Sequence, residues 1–344
     1  MKRYFLIFGL AVLASCACNP GTEQQEGKED PQEEPAAVGS FARGADVSWI
    51  TQLEKEGYTF TNQKGETKEC MQLLKEDCGV DAIRLRVWVN PEDGWNSVDD
   101  VLLKARRAAA LGLRLMIDFH FSDTWADPGH QVTPVAWQSY NITQLKQAVS
   151  DHVTDMLSKL KVFDITPEWV QIGNETRGGF MYPLGEVGNG QNFSDLVNAG
   201  YDAVKAIFPD CKVIVHVDSG DRMDLYTRVF GTLRKYGGKF DMVGMSIYPN
   251  SSNWKEQSDA IIANVNAIWA AWSVPTMLAE IGFDYTEGAS CKQCISYLME
   301  NGGENFKGIF YWEPEAPAGY NGGYNKGCFV DGTPTEALDP FLQD

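Results

Sequence analysis

The chain has 344 residues, of which 44% are hydrophobic and 22% charged, an ordinary globular composition with enough apolar mass for a large core. Its net charge of −18 argues against nucleic acid as a partner, because the phosphates would be repelled, but is no obstacle to a neutral polymer. Aromatic residues make up 12%, a share suited to stacking on sugar rings.

Lys2 and Arg3 precede an apolar stretch from Tyr4 to Leu13, which is arranged as an export signal and is too short for a permanent membrane span. Leu13-Ala14-Ser15-Cys16 is similar to a bacterial lipobox, in which the cysteine, here Cys16, is lipidated and becomes the mature N-terminus. Residues 1–18 are therefore read as a lipoprotein signal peptide and lipobox region; a plain secretory signal cut nearby is the alternative. A single lipid-bearing terminus would anchor an otherwise soluble domain to a membrane. Residues 19–40 carry Pro20, Pro31 and Pro35 among many Glu and Gln and almost no large apolar side chains. Such a segment cannot bury enough surface to fold and is expected to be an acidic, disordered tether. An acidic stretch directly after a lipobox resembles the surface-export tag of Bacteroidetes lipoproteins, which implies an exported outer-membrane protein at the cell surface.

From residue 41 the chain repeats one unit: a short apolar run, a polar or aromatic residue at its end, a loop, then a helical pattern. The runs are 42–47, 82–88, 113–119, 169–172, 213–217, 242–247, 276–279 and 308–311, eight in all. Continuous apolar runs suit parallel strands buried on both faces, with helical crossovers between them. Ser97 can cap a helix whose face is Val98, Val101, Leu102, Ala105, Ala108 and Ala109, ended by Gly112. Leu145, Val149, Val153, Met156, Leu157 and Leu160 mark another at helical spacing. The expected fold class is α/β, a (β/α)₈ TIM barrel forming a single domain over residues 41–344.

In such a barrel the active site lies at the C-terminal strand ends. The fourth run closes on Asn174-Glu175 and the seventh on Glu280, about a hundred residues further on. The other ends carry Asp46, Arg84 with Trp88, His120 followed by Asp123 and Trp125, His216, Tyr248, and Trp312 with Glu313. Each alone has a bland reading as a cap or a packed side chain, but core packing does not predict a whole ring of polar and aromatic groups. Two carboxylates fit glycosidic cleavage, which needs a proton donor to the leaving oxygen and a second carboxylate on the other face of the sugar. Asn174 can bond a sugar hydroxyl, Tyr248 can hold a nucleophile, and the tryptophans offer flat faces. His130 and His152 fall in a loop and on a helix, where a solvated or packed side chain is expected. Cys70, Cys78, Cys211, Cys291, Cys294 and Cys328 can pair in an exported protein, but the pairing is not readable. The Cys291–Cys294 CxxC has neither a second CxxC nor a nearby histidine to complete a zinc site.

Gly44 to Ser48, Arg84 to Trp88, Asp118 to Pro128, Gln171 to Glu175 and Tyr311 to Pro314 together resemble glycoside hydrolase family 53, the endo-β-1,4-galactanases. The resemblance runs from about residue 41 to the C-terminus, and its most specific part is the 118–128 segment. It implies a retaining double displacement on β-1,4-linked galactan of pectic type I arabinogalactan, with Glu175 as acid/base and Glu280 as nucleophile. Asp46, Arg84, Trp88, His120, Asp123, Trp125, Asn174, His216, Tyr248 and Trp312 then become substrate-binding or supporting positions. The loop 282–288 is short and poor in oxygen ligands compared with the calcium-carrying loop of several bacterial relatives, so no metal and no cofactor are expected. The Gly-, Asn- and Tyr-rich segment 319–327 is expected to be a flexible loop that shapes the distal subsites. A monomer is expected. The alternatives are another retaining β-glycanase of the same clan (xylanase, mannanase or cellulase type) and a non-catalytic glycan-binding surface lipoprotein.

Overall fold

The computed structural model describes residues 39–342. The signal region, Cys16 and nearly all of the tether lie outside the described residues. Eight parallel strands close into a barrel: β1 (Ala42–Asp46), β2 (Ala82–Val87), β3 (Arg114–Phe119), β4 (Trp169–Ile172), β5 (Lys212–Val217), β6 (Met242–Ile247), β7 (Thr276–Ile281) and β8 (Phe306–Trp312). Each strand pairs with the next, and β8 returns to β1 with Trp312 opposite Asp46. All eight apolar runs are strands, six of them displaced at an end by a residue or two. One displacement matters. The run ending at Ala279 continues as strand to Ile281, so Glu280 stands inside the ladder rather than just beyond it. Between β6 and β7 the register slips: Met245 pairs with Leu278 but Ser246 pairs with Glu280. The extra residue, Ala279, re-aims the strand at the point where the carboxylate is presented.

Helices supply the crossovers, among them α1 (Ile50–Lys55), α2 (Cys70–Cys78), α3 (Val98–Ala110) and α4 (Ile142–Val162). Ser97 caps α3 by accepting from the Asp100 amide, as its position in the sequence suggests. The expected buried face of α3 needs one correction: Ala109 is exposed, and Lys104 is buried in the stripe instead. Its ammonium donates to Ser48 O (2.6 Å) and Asn96 Oδ1 (3.0 Å) and pairs with Asp100 (2.8 Å), so burial of the charge is compensated by a full set of acceptors. On α4 the six expected apolar positions are all buried, and an Asn141–Gln144 capping box starts the helix. His152 joins that face, packed against Phe119, Phe121 and Trp137. His130 is exposed and bonded to Asp127. All six described cysteines are buried free thiols.

The barrel interior is layered. Ala42, Ala82, Met116, Trp169, Ile214, Met242, Met277 and Phe310 form an apolar cluster in its lower part. Gly44 has no room for a side chain, because a Cβ there would lie 2.2 Å from the Phe310 ring. Two residues further along β2 to β5 the inward residues turn polar: Arg84, Asp118, Gln171 and His216. The apolar layer thus shuts the bottom of the barrel, and the polar layer opens upward into the site.

Candidate active site

Arg84 on β2 is the hub of the polar layer. Its Nη1 donates to Asp46 Oδ2 at 2.7 Å, and its Nη2 lies 2.8 Å from Asp118 Oδ2, 2.9 Å from Glu280 Oε1 and 3.0 Å from Asn174 Oδ1. Gln171 Oε1 accepts from the same guanidinium at 3.2 and 3.3 Å. A guanidinium can serve several carboxylates at once because its donors form a rigid fork. Burial lowers the Arg84 pKa, but Asp118, Glu280 and Asp46 outweigh that and hold it above its ordinary value. Burial pushes the Asp118 carboxyl up, yet the Arg84 charge and His120 bring it below the usual range.

The histidines are fixed by their neighbours. The Trp88 indole N–H donates to His120 Nδ1 (3.2 Å). An indole can only donate, so the His120 proton sits on Nε2, which donates to Asp118 Oδ2 at 2.9 Å. His216 is fully buried, with Nδ1 2.9 Å from Asn174 Oδ1 and 3.1 Å from Gln171 Nε2. Burial, then the nearby Arg84 charge, pushes its pKa well down, so the ring is neutral. The Asn174 amide donates to Ala126 O (2.8 Å), tying β4 to the loop after β3.

Above this layer stand two carboxylates in unlike settings. Glu175 adopts a left-handed backbone, φ +46°, directly after Gly173 and Asn174. A non-glycine residue there stores strain of the kind found at functional sites. Its Oε1 accepts from Ser246 Oγ at 2.6 Å, and no cation pairs with it among the described residues. Burial, then the charge of Glu280, pushes its pKa well above the ordinary value. Glu280 Oε1 faces Arg84 and its Oε2 accepts from Tyr248 OH at 2.6 Å. Burial raises its pKa as well, but Arg84 and Tyr248 both pull against that shift. When the two share one proton, it rests on Glu175.

A cleft of about 460 Å³ opens over the pair, lined among others by His120, Trp125, Asn174, Tyr248, Trp312 and Lys326. A second hollow of about 640 Å³ adjoins it, sharing Trp49, Trp125 and Asn321, and is lined also by Trp88, Trp95 and Asp123. The indoles of Trp49, Trp125 and Trp312 lie with centroids 5.5 to 6.0 Å apart. Beneath them Arg86 is buried, its guanidinium carbon 4.4 Å from the Trp125 centroid, and it is ion-paired to Glu313.

Of the twelve residues singled out from the sequence, Glu175, Glu280, His120, Asn174, Trp125, Tyr248 and Trp312 line the catalytic cleft. Trp88 and Asp123 line the adjoining hollow instead. Asp46, Arg84 and His216, each at most 1% exposed, lie under the wall as supports and do not line it. The sequence reading missed Ser246, Gln171 and Arg86. A period-two count back from Tyr248, Gly173 and Trp88 would have pointed each of them inward.

The pattern described as Glycosyl hydrolase family 53 matches residues 42–336. The arabinogalactan endo-β-1,4-galactanase A of Aspergillus niger is 32% identical over 299 residues, covering 79% of this chain and 84% of that protein. The arabinogalactan endo-β-1,4-galactanase of Humicola insolens is 32% identical over 297 residues, covering 79% and 89%. A structure from a study of two fungal β-1,4-galactanases superposes with TM-score 0.80 at 29% identity, covering 87% of this chain and 98% of that one. A family 53 catalytic domain from Ignisphaera aggregans does so with TM-score 0.80 at 27% identity, covering 89% and 97%. With the family pattern spanning the whole barrel and the paired carboxylates in place, this chain belongs to glycosyl hydrolase family 53.

Proposed function

We propose that this protein is an endo-acting, retaining β-1,4-galactanase, with Glu280 as nucleophile and Glu175 as acid/base. The observation that carries the reading is the asymmetry of the two carboxylates: Glu280 has a guanidinium and a phenol to hold its charge, whereas Glu175 has one hydroxyl and, among the described residues, no paired cation. In the first step a Glu280 oxygen bonds to the anomeric carbon. The glycosidic C–O bond breaks, and the Glu175 proton passes to the departing oxygen. In the second step Glu175 takes a proton from water, whose oxygen displaces Glu280 and regenerates the hydroxyl sugar. Endo action is supported by the open continuation of the cleft into the tryptophan-lined hollow, which lets a chain run past the carboxylates. Family membership and the galactanases among its relatives support galactan as substrate.

The test is a time course of products from pectic galactan, run beside xylan, mannan and cellulose. Intermediate galacto-oligomers with the β-anomer formed first are expected. A single product from the start would overturn endo action, and intact galactan beside another degraded polymer would overturn the substrate.

We also propose that the enzyme is carried at the outer cell surface by a lipid on Cys16. The lipobox-like residues 13–16 and the acidic stretch that follows support this. Cys16→Ala is expected to move the protein from the membrane fraction to the soluble one; retention on membranes would count against the anchor.

A further inference from the structure

The end of β6 addresses both carboxylates from one face. Ser246 lies in the strand and Tyr248 directly follows it; two residues apart, they point the same way. One hydroxyl reaches Glu175 and the other Glu280, each at 2.6 Å. The slip between β6 and β7 sets the Ser246 backbone directly opposite Glu280, yet its side chain crosses to the other carboxylate. Ser246 is 1% exposed and does not line the cleft, so it is not built to touch sugar.

We propose that Ser246 is a positioning residue that decides which oxygen of Glu175 carries the transferable proton. This rests on the assignment of Glu175 as the acid. A carboxylic acid has two inequivalent oxygens, and protonation of a leaving group works only from the one that faces it. Ser246 Oγ–H donates to Oε1 and keeps that oxygen an acceptor, so the proton is confined to Oε2. From Oε2 it passes to the glycosidic oxygen as the C–O bond breaks, and Oε2 then receives the proton of the attacking water. The same hydrogen bond favours the ionised form of Glu175, which is the form the second step needs. Among the described residues no other side chain bonds the Glu175 carboxyl to fix its rotamer, so a lost hydroxyl would leave the acid in the cleft without a preferred oxygen.

The groups facing Glu175 are Glu280 on β7, Tyr248 directly after β6, His216 on β5, Asp127 after β3, Tyr226, and Asp218 with its partner Arg177. All of them remain in Ser246→Ala, so a change in its titration reports the hydroxyl.

The experiment measures kcat/KM for Ser246→Ala on aryl β-1,4-galactobiosides whose phenols span a wide range of acidity. A good leaving group departs without protonation, so the variant should match wild type on the most acidic phenol and lose roughly tenfold on the least acidic. The alkaline limb of its pH profile should move to higher pH, since the bond that favoured the carboxylate is gone. Ser246→Thr, which keeps a hydroxyl, should recover most of the loss on poor leaving groups. An equal loss on every phenol, or an unmoved alkaline limb, overturns the inference. Glu175→Ala run on the same series keeps the two readings apart. If it shows no leaving-group dependence, the acid assignment fails; if it is steep while Ser246→Ala is flat, only the role of Ser246 fails.

Discussion

At the scale of single residues, the chemistry depends on how each carboxylate is held. Glu280→Gln preserves the volume of the side chain and an oxygen for Arg84, but an amide does not attack the anomeric carbon. Galactan cleavage is expected to fall by at least about a thousandfold, as for removal of other covalent nucleophiles, while the circular dichroism spectrum is unchanged. A variant that cuts galactan at the wild-type rate would sink the nucleophile assignment. Both glutamates were legible in the sequence because each closes an apolar run at a barrel mouth. Their division of labour came from the family resemblance and not from the residues themselves, because physically it depends on Arg84, Tyr248 and Ser246, which are remote in sequence and meet only when the barrel closes. Arg84, read from the sequence as a substrate-binding or supporting position, is a buried support: three carboxylates share its guanidinium, whose charge offsets their burial.

At the scale of elements, the barrel interior admits side chains only where the layers leave room. Gly44 lets β1 pass the Phe310 ring that fills the axis. Gly44→Ala is expected to destabilise the fold by about 1–3 kcal/mol through overpacking, and combining it with Phe310→Leu should recover part of that loss. Denaturant titration of the two single variants and the double checks this, and strict additivity would show that the ring is not the obstacle. The strand runs were readable because parallel strands buried on both faces carry almost unbroken apolar sequence. Their ends were not, since a polar residue such as Glu280 stays in the ladder when both neighbouring strands extend beside it. Lys104 shows the same on a helix: the apolar spacing leaves it off the buried face, and only the loops around it supply Ser48 O and Asn96 to receive its charge.

At the scale of the whole molecule, burying carboxylates couples stability to pH. The pKa values of Glu175, Glu280 and Glu315 are raised, each first by burial, and burial pushes Glu313 up to about 7. A carboxyl whose folded pKa exceeds its unfolded value contributes stability below the unfolded pKa, and that is lost as pH rises through the folded one. Two histidines act in the opposite sense: burial lowers His152 to about 4 and holds His216 well down. Their contribution is complete above the unfolded value of 6.5 and is lost as pH falls. Between pH 4.5 and 6.5 the two effects oppose each other, and above 6.5 only the carboxyl effect still changes. The unfolding free energy is therefore expected to fall from pH 6.5 to 8, by about 1.4 kcal/mol per pH unit for each extra proton that the folded state holds, and the Tm with it. Glu175→Gln should flatten that slope and raise the Tm at pH 8. Calorimetry showing a Tm that is constant or rising over this interval would refute the account.

The sequence by itself determined the barrel, its strand order and the two carboxylates, because hydrophobic period and strand-end position are local properties written into consecutive residues. The tertiary structure decided which carboxylate keeps the proton, which polar residues face the cleft and which support it from below. Those are matters of distance between side chains as much as 227 residues apart, set by the closure of β8 on β1 and by one extra residue in β7.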